Sequence, residues 1–319
     1  MTGVQDAAGV QDAAGEQEAA GEQAAAGVQD AAGVQEAAGE QAAAEVQDAA
    51  GVQDAAGVQE AAGEQQVGAP VTTAEVCVVA CAEAWRGDGE IAASPMGMIP
   101  TAGARLARAT FEPDLLLSDG EARFITGIWA LGEPPPGPAE GWIPFRTIFD
   151  LAWHGSRHVM MGPAQIDRYG NANISAIGDY ARPTRQLLGV RGAPGNTVNH
   201  PTSYWVPRHL PRVFVPRVDM VSGVGYDRAS AAGPEAAEFL DLRRVVTNLA
   251  VLDFGGPDHR MRLLSVHPGV TVDEVVAGTG FELAVDGAVP QTRPPTAAEL
   301  RLIREVIDPA GLSGDEVPG

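Results

Sequence analysis

After a repetitive head, hydrophobic and polar positions follow patterns typical of helices and strands in turn. Thr72 with Glu75 is a capping-box pair, and the apolar positions that follow predict a helix. A short strand is predicted near Ile91, and residues 94–109 predict a small-residue turn that leads into a second helix. The run DLLLS (114–118) is apolar without interruption, as in a strand buried on both faces of a parallel sheet.

The rest of the chain continues this alternation. A loop is predicted at 132–141 and a helix at 145–155. Four apolar segments are predicted to be strands: 157–161, 185–190, 212–218 and 244–254. The last of these returns through a hairpin to 263–266. Two further capping boxes start helices: Thr271 with Glu274, and Thr296 with Glu299. This order predicts an α/β domain with a mostly parallel sheet and helices on both faces.

The front of the chain is a six-residue repeat of the type GVQDAA. Six residues advance a helix by about 600°, so the repeat makes no apolar stripe on a helix, and it offers a strand no face to bury. A left-handed β-helix needs an aliphatic residue in every copy, whereas Glu often takes that place here. We therefore predict a disordered low-complexity tail at 1–70 and an α/β domain at 71–319.

Composition excludes several classes of protein. The first 69 residues hold 13 of the 42 acids and no basic residue, so residues 70–319 carry 29 acids against 21 bases, which argues against nucleic-acid binding. Every basic residue except histidine is arginine, so no lysine can act as nucleophile or Schiff base. No apolar run approaches membrane-spanning length, and no secretory signal is recognisable. With only Cys77 and Cys81, we expect no disulfide scaffold and a cytoplasmic location.

Short motifs for metal or nucleophile chemistry are not recognisable. His154 and His158 are four residues apart but lie on either side of Gly155, and the other histidines are dispersed, so no metal is expected. Ser118 has no base close to it in sequence. However, 118–121 follows a predicted strand, and α/β sheets bind ligands beyond the carboxyl ends of their strands.

Three segments crowd polar and small residues into turns: GPAQIDRYGNAN (162–173), GVRGA (189–193) and HPGVTVDEVVAGTGFEL (267–283). In this order they resemble the β subunits of class I CoA-transferases, and DLLLSDG stands where that family keeps its catalytic strand. The resemblance extends over about 72–308. It implies a CoA-transferase-like α/β fold, an α-subunit partner, and a CoA thioester as substrate with no separate cofactor.

The departures from that family matter most at the end of the strand. The transferases attack the thioester with a glutamate there, and alignment of the family's glycine with Gly120 puts Ser118 in its place. A serine hydroxyl cannot replace that carboxylate without an activating base. Asp119 and Glu121 are expected on the other face of the strand. The pattern is similar to the β subunit of the transferase-like hydrolases that open the last ring in actinobacterial steroid and cholesterol breakdown.

The resemblance implies a β subunit of such a ring-cleaving hydrolase, in a heterodimer or heterotetramer whose α subunit supplies the catalytic carboxylate. Ser118, Asp119 and Glu121 are then expected to line the pocket. Arg191 takes the place of a family glycine and is expected to bind a substrate carboxylate or a CoA phosphate. The expected substrate-binding loop comprises Arg191, Gly192, Ala193, Gly195 and Asn196. Two alternatives stay open: a true CoA-transferase that uses Glu121 or Asp119 in a shifted register, and a non-catalytic scaffold subunit.

Overall fold

The structure, a computed structural model, describes residues 69–318. The tail predicted at 1–70 lies almost entirely outside the described residues. The α-helices are α1 (Thr73–Ala84), α2 (Met98–Thr110), α3 (Phe145–His154), α4 (Ala193–Asn199), α5 (Tyr226–Ala232), α6 (Pro234–Ala237), α7 (Val272–Ala277) and α8 (Ala297–Arg301). A π-helix (Leu302–Ile307) continues α8, and 3-10 turns span Pro257–His259 and Leu312–Glu316. None of the helices within 69–318 has the length and hydropathy that crossing a membrane requires.

The strands are β1 (Ala92–Pro95), β2 (Leu116–Ser118), β3 (Arg123–Ile125), β4 (Ala139–Trp142), β5 (Arg157–Met161), β6 (Gln165–Ile166), β7 (Ala172–Asn173), β8 (Ala176–Ile177), β9 (Arg185–Gln186), β10 (Thr202–Val206), β11 (Leu242–Thr247), β12 (Ala250–Asp253), β13 (Arg262–Val266) and β14 (Ala284–Val285). Ten of them form one sheet in the order β14-β13-β12-β11-β10-β5-β1-β2-β3-β4. The central strands, from β11 to β2, are all parallel. Antiparallel pairs extend the sheet on both sides, and the edge strand β14 is again parallel to β13. This confirms the predicted α/β class.

Both faces of the central sheet are buried. In β5, Met160 faces the core that α1 and α2 cover, whereas Val159 and Met161 face a second core on the other side. In β10, Trp205 and Tyr204 divide in the same way. The second core is covered by loops and by α4, α5 and α7, so helices lie on both faces as predicted.

The three predicted capping boxes are all present. At the first, Thr72 Oγ1 accepts the Glu75 N–H at 3.2 Å, and the Glu75 carboxylate accepts the Thr72 N–H at 2.8 Å. Glu75 also pairs with Arg304 at 2.6 Å, so the box ties the start of α1 to the π-helix near the end of the chain.

Two predicted strands are not formed over their predicted length, because each pairs only over one or two residues. Within 212–218 only Phe214 pairs, in a single parallel bridge to Ile166 of β6, and Pro211 and Pro216 on either side have no N–H to donate. Of the strand predicted at 185–190, only the two residues of β9 pair. The rest has no sheet to pack on, and Leu188 is exposed.

Two other assignments change in detail. The single strand predicted at 244–254 is two antiparallel strands, β11 and β12. Thr247 Oγ1 accepts the N–H groups of Leu249 and Ala250, each at 3.0 Å, and so closes a tight turn between them. The loop predicted at 132–141 ends in β4, because this segment pairs with the free edge of β3.

Helices α1 and α2 approach most closely at Gly103. A Cβ at this position would lie 2.8 Å from the Cys81 Cβ, 2.9 Å from the Ala82 nitrogen and 3.0 Å from the Val78 oxygen. Two of these neighbours are backbone atoms of a buried helix, which cannot move aside cheaply. The contact between the helices therefore requires glycine.

We expect Gly103→Ala to lower the free energy of unfolding by about 1–3 kcal/mol, because it overpacks this contact. Helix propensity alone would raise it by about 1 kcal/mol, so the sign of the change separates the two effects. Urea unfolding followed by circular dichroism measures it. Gly314→Ala is the control, since its Cβ would meet no atom within 4 Å. A more stable Gly103→Ala chain would contradict the packing described.

Candidate active site

A cleft of about 610 Å³ opens at the carboxyl ends of β1 and β2. Its walls are formed by residues 93–96 at the carboxyl end of β1, by the turn that follows β2, and by residues 133–135. The side chains of Arg105, Trp129 and Arg157 complete the lining. Such a position, beyond the ends of parallel strands, is where α/β sheets bind ligands.

The turn that follows β2 is built on the Asp119 carboxylate. Oδ1 accepts the N–H groups of Glu121, Ala122 and Arg123 at 2.9, 3.0 and 3.0 Å, and Oδ2 accepts Arg123 Nε at 2.9 Å. Only 4% of the side chain is exposed. Burial raises the pKa of Asp119, but these hydrogen bonds outweigh it and lower the pKa to about 2. Such a carboxylate organises a turn and is a poor proton acceptor near neutral pH.

Ser118 and Glu121 border the same turn and line the cleft. Ser118 Oγ accepts the Gly120 N–H at 2.9 Å, and Gly120 has a φ of 83°, which glycine adopts without steric cost. Among residues 69–318, no histidine lines the cleft, so Ser118 lacks an imidazole base that would activate it. The segment DLLLSDGE is thus a strand that turns sharply into β3, with one carboxylate used by the turn and Glu121 exposed.

Arg105 reaches the cleft from α2, and no motif in the sequence identifies it. It is 7% exposed, its Nη1 donates to the Trp129 carbonyl oxygen at 2.7 Å, and its guanidinium stacks on the Trp129 ring at 4.1 Å. Its Nε is buried without a hydrogen-bond partner. Burial lowers the pKa of Arg105 to about 10, so the group is still charged near neutral pH.

Arg157, also missed in the sequence, joins the cleft to the predicted substrate-binding loop. Its Nη2 donates to Oδ1 of Asn196 in α4, while its Nε is buried without a partner. Burial lowers the pKa of Arg157 as well. Asn196 Nδ2 contacts Met161 Sδ at 3.3 Å, which holds the amide between β5 and α4.

The predicted loop itself lies beside the cleft and does not line it. Arg191 and Gly192 are exposed, whereas Ala193 and Asn196 are buried, and Gly195 lies in between. Arg191 has a φ of 48°, a conformation that favours glycine. This conformation agrees with the sequence comparison, since the class I CoA-transferases that the chain resembles have a glycine at this position. Binding of substrate or CoA by this loop stays a prediction.

A serine–histidine–aspartate chain lies inside the protein, away from the cleft. His158 Nδ1 is 2.7 Å from Asp88 Oδ2, and His158 Nε2 is 2.9 Å from Ser203 Oγ. The order matches a nucleophilic triad, but all three side chains are buried and Asp88 also pairs with Arg243. Since no substrate can reach Ser203, we assign these three hydrogen-bonded side chains a structural role.

Two other histidines are also part of the core. His209 bonds Thr247 and Thr279, and His267 bonds Thr292. Burial lowers the pKa of each histidine to about 4, so both are neutral near pH 7. Within 69–318, no three His, Cys, Asp or Glu side chains come together as metal ligands would.

An exposed row of aromatic side chains begins next to the cleft. The exposed fractions are 75% for Trp142, 75% for Phe145, 53% for Phe149 and 65% for Trp153. The last three follow one another every four residues on α3 and share one face of that helix. Trp142 pairs across β3 and β4 with Arg123, which lines the cleft. We call these four residues the aromatic row.

Comparison with known proteins agrees with this geometry. The family model for coenzyme A transferase matches residues 148–278. The chain is 58% identical to the IpdB subunit of the cholesterol ring-cleaving hydrolase of Rhodococcus jostii over 247 residues, which is 77% of this chain and 96% of that subunit. It is 36% identical to one of the subunits of glutaconate CoA-transferase from Acidaminococcus fermentans over 245 residues, or 69% of this chain and 86% of that relative.

A solved structure shows the same relationship. The crystal structure of Rhodococcus jostii IpdAB matches with a TM-score of 0.75 and 56% identity, and the match covers 79% of this chain and 100% of that one. The resemblance predicted from three short segments is therefore confirmed over most of the domain. The chain belongs to the coenzyme A transferase family.

Proposed function

We propose that this chain is the β-type subunit of a heteromeric hydrolase that cleaves a carbon–carbon bond in a cyclic keto-acyl-CoA formed in steroid or cholesterol breakdown. The observation that carries the proposal is Ser118, which stands at the end of β2 where the transferases use a glutamate. Its hydroxyl is bonded within the turn. The much higher identity to a ring-cleaving hydrolase subunit, 58% against 36% for a transferase subunit, supports the same choice.

The proposed reaction adds one water across one bond. A carboxylate of the α subunit takes a proton from water as the oxygen attacks the ring ketone. The bond between the ketone carbon and the carbon next to the thioester then breaks, and its electron pair becomes the thioester enolate. Protonation of that carbon completes the reaction, and the former ketone carbon becomes a carboxylate. CoA enters and leaves as part of the substrate, so no separate cofactor is needed.

The residues of this chain bind and shape the pocket in this proposal. Ser118, Asp119 and Glu121 form the wall beside the reacting ring, and Arg191 with the following loop binds a substrate carboxylate or a CoA phosphate. Cys77 and Cys81 are free and buried, which supports a reducing cytoplasm as the site of action.

The aromatic row supplies the face for the partner. A base on the α subunit must reach 118–121, so the α subunit must bind against the mouth of the cleft. The row begins there, since Trp142 is paired with Arg123. Exposed tryptophan and phenylalanine side chains are enriched at the centres of protein interfaces. We therefore assign the row to the interface with the α subunit.

Two other functions make different demands on the same residues. A true CoA-transferase would need Glu121, or Asp119, to carry CoA as an acyl thioester, which borohydride trapping would detect on this chain. The hydrogen bonds that occupy both Asp119 oxygens argue against that residue. A scaffold subunit would keep nearly full activity after Asp119→Ala and Glu121→Ala.

Product analysis in oxygen-18 water tests the reaction. With the co-purified complex, a cyclic keto-acyl-CoA and acetate, we expect a ring-opened product that retains CoA and gains labelled oxygen in a new carboxylate. Mass spectrometry measures both changes. Acetyl-CoA with an intact ring would instead establish the transferase.

Two substitutions separate the turn-forming role of Asp119 from a base role. Asp119→Asn retains Oδ1 as an acceptor for the three amide bonds and should keep kcat within about fivefold, whereas Asp119→Ala opens the turn and should lower it by about tenfold or more. Steady-state kinetics measure both variants. Equal inactivation of the two would indicate that the charge itself takes part in the reaction.

Acid titration tests the same turn. Because the folded pKa of Asp119 is below its ordinary value of 3.8, its stabilising effect is complete above about pH 4 and is lost as pH falls through about 2. We expect the difference in urea midpoint between wild type and Asp119→Asn to shrink over that interval. A difference that stays constant from pH 5 to about 2 would contradict the lowered pKa.

A charge placed in the aromatic row tests the interface. We expect Phe149→Asp and Trp153→Asp each to weaken association with the α subunit by about 30-fold or more, because each removes a large aromatic contact. Light scattering after gel filtration of the mixed subunits measures this. Phe239→Asp, at another exposed aromatic, is the control and should assemble normally. Unchanged assembly of both row variants would move the interface elsewhere.

A further inference from the structure

We propose that Arg105 and Arg157 form an oxyanion-binding subsite in the cleft that holds an anionic group of the substrate. The inference deepens the proposed function and rests on it for the identity of the substrate as an acyl-CoA. The subsite differs from the predicted Arg191 loop, which does not line the cleft.

The first argument is the lack of a counter-ion. Ion pairs organise many arginines of this chain, but in the described part neither Arg105 nor Arg157 pairs with a carboxylate. Three carboxylates line the same cleft. Asp119 has its oxygens taken by its own turn and by Arg123, and neither Glu121 nor Glu133 forms an ion pair with the two arginines. Arg105 is buried and Arg157 is half-buried, and a cation withdrawn from water without a paired anion is costly, so an anionic ligand would offset that cost.

The second argument is that both groups are held in place. Arg105 is fixed by the Trp129 carbonyl and by stacking on the Trp129 ring, and Arg157 by the Asn196 amide. None of these partners is charged, so each guanidinium keeps its full charge available to a ligand. Each Nε is also buried without an acceptor. Groups fixed before binding lose little side-chain entropy when a ligand arrives.

The ligand chemistry follows from the shape of guanidinium. Its planar fork of N–H donors matches the two oxygens of a carboxylate or the oxygens of a phosphate. An acyl-CoA offers both, as a carboxylate on its acyl part or as the phosphates of CoA. If Arg105 served only to join α2 to Trp129, its substitution would affect folding but would not change binding in a way that depends on the charge of the ligand.

Calorimetry with three ligands tests the subsite in the assembled complex. The probes are a cyclic acyl-CoA with a free carboxylate on its acyl part, its methyl ester, and CoA alone. We expect Arg105→Gln and Arg157→Gln each to weaken binding of the carboxylate ligand by about tenfold or more. A loss confined to that ligand identifies the acyl carboxylate, and an equal loss for all three identifies a CoA phosphate. Arg86→Gln, an exposed arginine outside the cleft, is the control.

Arg105 is buried, so its variants must be separated from folding defects. Arg105→Lys and Arg157→Lys retain the charge without the fork and should recover part of the affinity, while melting of the complex is followed for each variant. If the Arg105 variants do not assemble, the proposal is tested by the binding measurements on the variants of Arg157, which is less buried. Affinities for all three ligands within about twofold of wild type, in folded complexes, would overturn the proposal. Binding changes without ring opening by the wild-type complex would refute the proposed function but leave the subsite standing.

Discussion

The candidate site depends on one carboxylate, that of Asp119, and on the three backbone amides that bind it. This cluster makes the chain reverse directly after β2. Because the reversal is tight, Ser118 and Glu121 face the cleft and β3 lies antiparallel to β2. Strand β4 then adds to β3 and brings Trp142 to the edge of the cleft. The pocket wall and the start of the aromatic row thus share one local cause.

The fold also explains how a sheet suited to one reaction can serve another. The parallel centre of the sheet and the two cores that cover it do not depend on the residue at position 118, which lies at a strand end. In the proposed function, a hydroxyl in place of a carboxylate at this position removes the covalent step, while the cleft stays open. In the proposed division of labour, the base comes from the α subunit while this chain binds and confines the substrate.

Whether the sequence predicts a feature depends on how far apart in the chain its interacting residues lie. Capping boxes and the turn after β2 involve residues within four positions of one another, so their residue types reveal them. The site arginines depend on distant partners: Arg157 meets Asn196, 39 positions away. The sequence offers one indication of Arg105. It lies three residues after the buried Ala102, so both residues are on the side of α2 that faces the core. The false strand at 212–218 had the right composition, but its pairing stops at a single bridge between Phe214 and Ile166 of the two-residue strand β6.

The aromatic row has a consequence for how the protein must be made. Four large aromatic side chains, each more than half exposed, lie on α3 and on β4, the strand that precedes it, and Phe145 and Phe149 contact each other edge to face. On a chain without its partner, such a surface favours self-association. With the row as the proposed interface, the α subunit covers this surface, so balanced synthesis of the two subunits would favour solubility as well as activity.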